Sequence, residues 1–180
     1  MDRTQDDDIR EIPGFHRRLG SRRAPAREDG GVRRLRRSQL EAFRELDGAD
    51  RLILNSPTGW GKTTLLSFLA LGRLGRDPRA KAVITVPQRV IGMGFTRQHE
   101  VELPDGRRTT WRALDLCEKS PAKVRRLVKW LLSPGEGLQR RVVVTTHASL
   151  IAAVSRIDDL QNAFNRTTVI IDEGHHVQSS

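Results

Sequence analysis

The chain has 180 residues, one cysteine and a formal net charge of +10, from 32 Lys and Arg against 22 Asp and Glu. That length suits one domain of about 100–200 residues and leaves no room for the second lobe of a two-lobed motor. The composition excludes an internal disulfide framework and a Cys-rich zinc site, and no apolar run nears the roughly 20 residues of a membrane span.

Residues 1–36 carry paired arginines, two prolines and few large apolar side chains. Such a segment buries too little surface to offset its ordering entropy, so a mostly disordered basic arm is expected. Its first eight residues are polar and acidic, unlike a signal peptide, and a cytoplasmic protein is expected. From residue 37 onward the pattern becomes α/β. Ser38, with Glu41 three positions on, is placed to cap a short helix carrying Leu40, Phe43 and Leu46. Residues 51–55 form a short apolar run before a turn, as a buried parallel strand does. Thr63 to Leu74 predicts a helix buried on most sides. Residues 82–86 predict a second strand, stopped by Pro87. Pro104-Asp105-Gly106 within 101–111 predicts a β-hairpin. An amphipathic helix is expected over 123–132, ended by Pro134-Gly135. Strands follow at 142–146 and 168–172. Strands alternating with helices imply a mainly parallel sheet covered on both faces.

Two motifs carry chemistry. The first, Ser56-Pro57-Thr58-Gly59-Trp60-Gly61-Lys62-Thr63-Thr64, lies between a strand and a helix, the context of a P-loop. Glycines let backbone N–H groups converge on phosphate oxygens, and the helix aims its positive end at the same anion. Lys62 then reaches the β- and γ-phosphates, and the Thr63 hydroxyl holds Mg²⁺. Trp60 is bulky for its place between two glycines, and its side chain is expected to point outward, over the nucleotide or into solvent. The second motif ends the last strand: Ile171-Asp172-Glu173-Gly174-His175-His176. Its carboxylates fall at the C-terminal edge of the sheet, where α/β sheets bind ligands. Asp172 suits Mg²⁺ through its water shell, and Glu173 suits orienting and deprotonating an attacking water.

Together these motifs resemble the first RecA-like lobe of superfamily two helicases of the DEAD/DEAH type. Residues 56–63 look like motif I of that family and Asp172 to His175 like the DExH form of motif II. Arg36-Arg37-Ser38-Gln39 resembles the glutamine motif. Residues 83–89 resemble motif Ia. Val143 to His147 resembles the motif whose threonine touches the nucleic-acid backbone. The resemblance implies a RecA-like P-loop NTPase, a three-layer sandwich, with residues 37–180 forming an incomplete ATP-binding lobe. It implies ATP and Mg²⁺ as cofactors, with Gln39 on the adenine edge. Ser56, Thr58, Gly59, Trp60, Gly61, Lys62, Thr63 and Thr64 would lie around the nucleotide. His175 would couple ATP to nucleic acid. It also implies a DNA or RNA partner, with a lean to DNA from the DExH form and the hairpin. A second RecA-like lobe, with its arginine fingers, is missing from the chain. Weak ATP binding and poor hydrolysis are then expected of the chain by itself.

Two alternatives stay open at this point. One is a different class of P-loop ATPase. The other is a non-enzymatic nucleic-acid-binding fragment, whose salt-sensitive binding would ignore ATP. The basic excess does not choose, because 27 of the 32 cations are arginine and a bias toward arginine codons produces the same count. Trp111 and Trp130 are expected to be packing anchors and Cys117 an unremarkable thiol. Arg107-Arg108 on the hairpin suit either phosphate or solvent.

Overall fold

The computed structural model describes residues 15–18, 28–29, 31–49, 52–55, 59–136, 138 and 140–172. Ten strands and six helices run through them. These are β1 (Phe15–Arg18), β2 (Glu28–Asp29), β3 (Val32–Arg33), α1 (Arg37–Leu46), β4 (Leu52–Asn55), α2 (Lys62–Arg76), β5 (Lys81–Val86) and α3 (Arg89–Thr96). They continue with β6 (His99–Glu102), β7 (Arg108–Trp111), β8 (Ala113–Asp115), α4 (Lys123–Leu132), β9 (Val142–Thr146), α5 (His147–Val154), α6 (Leu160–Phe164) and β10 (Thr167–Ile171).

The central sheet has the order β10-β5-β9-β8, and every pair in it is parallel. Its strands are near-continuous β-branched runs because both faces are covered; all six residues of β5 are buried. Alternation along the strands splits the core in two. Ala82, Ile84, Val144 and Ile170 face Leu65, Phe68 and Leu69 of α2 and Phe95 of α3. Val83 and Val143 face Leu127, Trp130 and Leu131 of α4, with Ala153 and Ala163 behind. The three layers expected from the alternating pattern are therefore present.

Several helix ends are tied by cations. Lys81 Nζ donates to the carbonyls of Leu131 at 2.6 Å, Ser133 at 2.8 Å and Trp130 at 3.4 Å, at the end of α4 where helix carbonyls run out of intrahelical donors. Arg141 does the same beyond α2, donating to the Leu74 and Asp77 carbonyls at 3.0 Å each.

The hairpin forms as expected: β6 and β7 pair antiparallel across a turn in which Gly106 sits at φ +83°. It belongs to a second sheet, ordered β2-β3-β6-β7. Three short strands thus fall inside the segment expected to be an unstructured arm. β3 is held to β6, and β1 pairs parallel with β4. Main-chain ladders need little apolar side chain, which is why composition did not foreshadow them; the rest of that segment lies outside the described residues. β4, the strand before the P-loop, has β1 as its ladder partner, and among the described residues no ladder joins it to β10. The cap of α1 also differs. Arg36 is the N-cap, and its N–H donates to the Gln39 side-chain oxygen at 3.0 Å. Gln39 faces inward and reaches back to the cap, whereas Glu41 faces solvent and pairs with Arg37 at 3.3 Å.

Candidate nucleotide site

The loop between β4 and α2 is built on two left-handed glycines, Gly59 at φ +79° and Gly61 at φ +93°. Only glycine adopts this region without a steric cost. Gly61 is the N-cap of α2 and has no side chain with which to cap that end. The first N–H groups of a 15-residue helix are therefore presented, with its dipole, to an anion. Lys62, Thr63 and Thr64 are half-buried in the first turn. Ser56 and Thr58 lie outside the described residues.

Trp60 corrects an expectation. It is 4% exposed and belongs to the main core, pointing neither over a nucleotide nor into solvent. The left-handed turns on both sides swing the residue inward. An indole buries on the order of 200 Å², so the bulky residue fastens the loop to the core.

Gln39 is likewise committed to the protein. It is 1% exposed, and its Nε2 donates to the Trp60 carbonyl at 3.2 Å and the Gly61 carbonyl at 3.1 Å. Arg36 lies beside it: a Cβ on Gly61 would come within 4.0 Å of an Arg36 guanidinium nitrogen. Arg36 Nε is buried without a hydrogen-bond partner among the described residues. Sequence reasoning missed Arg36; its place three residues before Gln39 was the available signal.

Asp172 continues β10 by one residue. Its N–H donates to the Thr85 carbonyl at 2.9 Å, and the residue is 6% exposed. Its carbonyl accepts from His147 Nε2 at 3.2 Å, with that nitrogen as the protonated one. Glu173, His175 and His176 lie outside the described residues. The C-terminal end of β5 supports both motifs. Asp172 hangs on Thr85 directly, and α3, which follows β5, brings Gly94 against the Thr63 methyl, 3.6 Å from where a Cβ would stand.

Other candidates resolve into packing. Thr145 and Thr146, in the segment resembling the nucleic-acid-contacting motif, are both buried. The Thr146 hydroxyl caps α5 by accepting from Ser149 N–H at 3.3 Å, so neither hydroxyl is presented at the surface. Trp111 and Trp130 are anchors as expected, their indole N–H groups held by the carbonyls of Phe95 at 2.6 Å and Arg140 at 3.0 Å. Arg107 and Arg108 are paired with Asp105 and Glu102. Cys117 is buried, and desolvation, then the Asp115 charge, pushes its thiol up to about 12, so it stays protonated.

The donor set fits a magnesium–triphosphate group: a glycine cradle, a helix start with Lys62 and Thr63, an orphaned guanidinium nitrogen and a buried carboxylate. The family described as type III restriction enzyme, res subunit, matches residues 33–180. A Bacillus subtilis (strain 168) protein named "Putative ATP-dependent helicase YeeB" is 29% identical over 147 residues, covering 81% of this chain and 23% of that protein. The chain thus spans about a quarter of its relative's length. No solved structure matches the chain. The chain belongs to the type III restriction enzyme res-subunit family, and its three-layer core is the RecA-like lobe of a superfamily two helicase.

Proposed function

We propose that this chain is the ATP-binding lobe of a cytoplasmic, nucleic-acid-dependent motor. In this proposal it binds Mg·ATP at the start of α2 and couples hydrolysis to movement on DNA. The observation that carries the reading is the glycine cradle at the start of α2, with left-handed Gly59 and Gly61 leading into Lys62. The family's description as a restriction-enzyme subunit supports DNA over RNA. Among the described residues no helix is long and apolar enough to cross a membrane.

In this reading the Gly61 and Lys62 N–H groups and the Lys62 ammonium hold the β- and γ-phosphates. Thr63 and Asp172 would hold Mg²⁺, whose charge, when bound, offsets that developing on the phosphoryl oxygens. Glu173 orients the attacking water and takes its proton. Burial of Asp172 strengthens its charge interactions, because the local dielectric is low. Motors of this type complete the site with an arginine finger from a second lobe, a contribution of about 10³–10⁵ in rate. Residues 1–180, assayed without such a lobe, are expected to hydrolyse ATP slowly and not to unwind a duplex.

The test is titration of Mg·ATP into wild type and Lys62→Ala, with DNA affinity measured in parallel with and without nucleotide. Mg-dependent binding that Lys62→Ala abolishes, together with an ATP-dependent change in DNA affinity, is expected. DNA binding that weakens with salt but ignores ATP would instead indicate a non-enzymatic binding module.

A further inference from the structure

Gln39 carries the sequence expectation of an adenine reader, but its amide is spent elsewhere. A glutamine amide has two N–H donors and one acceptor oxygen. Nε2 donates to both the Trp60 and the Gly61 carbonyl, and Oε1 accepts from Arg36 N–H. Reading a base edge with Nε2 would break bonds to the loop.

Those bonds, together with the Leu65 N–H that also donates to the Gly61 carbonyl at 3.2 Å, fix the direction of these amides. The chain has no cis peptide bonds among the described residues. In a trans peptide the carbonyl of one residue and the N–H of the next point in opposite directions. With the Trp60 and Gly61 carbonyls turned onto Gln39, the N–H groups of Gly61 and Lys62 are turned away from it. These are successive amides at a step from left-handed to right-handed backbone, the arrangement that makes an anion-binding concavity. The fit is close, since a Cβ on Gly61 would displace the Gln39 amide from the loop. Glycine itself is required there by its φ of +93°.

We infer that Gln39 is a positioning residue for the phosphate loop: by holding the Trp60 and Gly61 carbonyls it aims the Gly61 and Lys62 N–H groups at a polyphosphate, whatever base that polyphosphate carries. The role rests on the triphosphate reading of the loop and acts through the backbone, without contact between Gln39 and the ligand.

The experiment measures affinity for Mg·ATP, Mg·GTP and magnesium tripolyphosphate, which has no base, together with the melting temperature. The proteins are wild type, Gln39→Glu, Gln39→Ala, Lys62→Ala and Leu46→Ala, all as the full chain. Gln39→Glu keeps the side-chain shape and the acceptor for Arg36 but removes the donors. Both Gln39 variants are expected to weaken all three ligands by a common factor of about tenfold, as loss of buried hydrogen bonds implies. Leu46→Ala removes packing from the last turn of α1, and is expected to lower the melting temperature without changing these affinities. A loss confined to ATP, with tripolyphosphate unchanged, would make Gln39 a base reader and overturn the inference. So would no loss, or a parallel loss in Leu46→Ala, which would mark a purely structural effect. If wild type binds none of the three, or Lys62→Ala binds as wild type does, the triphosphate reading itself fails and the role of Gln39 goes with it.

Discussion

Trp60 shows how a single side chain decides what a loop is for. It sits between two left-handed glycines, and its indole enters the core. Trp60→Ala leaves a large cavity and is expected to cost about 3–5 kcal/mol of stability. Trp60→Phe keeps most of the apolar contact and is expected to leave Mg·ATP affinity within twofold of wild type, by the arithmetic that tenfold needs about 1.4 kcal/mol. Chemical denaturation and nucleotide titration of both variants check this; a large ATP-specific loss in Trp60→Phe would put the ring on the base after all. Local sequence could not reveal the direction of this side chain, because it depends on the dihedrals of Gly59 and Gly61 and on a core assembled from distant segments. The same holds for Gln39, whose three bonds reach residues up to 22 positions away.

At the level of elements, legibility followed length and patterning. The runs at 82–86 and 142–146 are continuous and β-branched, and α4 has a clear helical period, so their bounds emerge nearly as observed. The hairpin was marked by Pro104-Asp105-Gly106, whose Asp105 Oδ1 accepts from Arg107 N–H at 3.0 Å. β8, with three residues, and α6, with five, are too short to show any period. No local signal gave the partner of β4, which is set by a ladder to β1. Lys81 is a comparable case: a lysine opening an apolar strand suggests a solvated end, yet it is buried under the carbonyls of α4 and lies 5.1 Å from the Trp130 ring centre. Lys81→Met keeps the length of the side chain but strips those carbonyls of their donor. We expect a loss of about 1–3 kcal/mol in urea unfolding, the cost of buried acceptors left unpaired. Arg79→Met, which removes an exposed pair with Glu136, should cost under about 1 kcal/mol by comparison.

On the scale of the whole molecule, the sheet joins the two chemical motifs through its middle. β5 is paired on both sides, carries Asp172 at its end and leads into the helix that backs Thr63. The opposite condition holds at β10, which pairs with β5 along one side and has no other ladder partner among the described residues. Val169 is 43% and Ile171 52% exposed there, on the sheet face that carries Val83. An unpaired strand edge with apolar side chains is a template for another chain's strand. Purified by itself, the chain is expected to self-associate as its concentration rises, and Val169→Lys to shift it toward monomer in sedimentation velocity runs. An unchanged monomer across the range would show the edge to be covered. Colloidal behaviour at the bench, rather than the melting point, then sets the working concentration for every titration of this lobe.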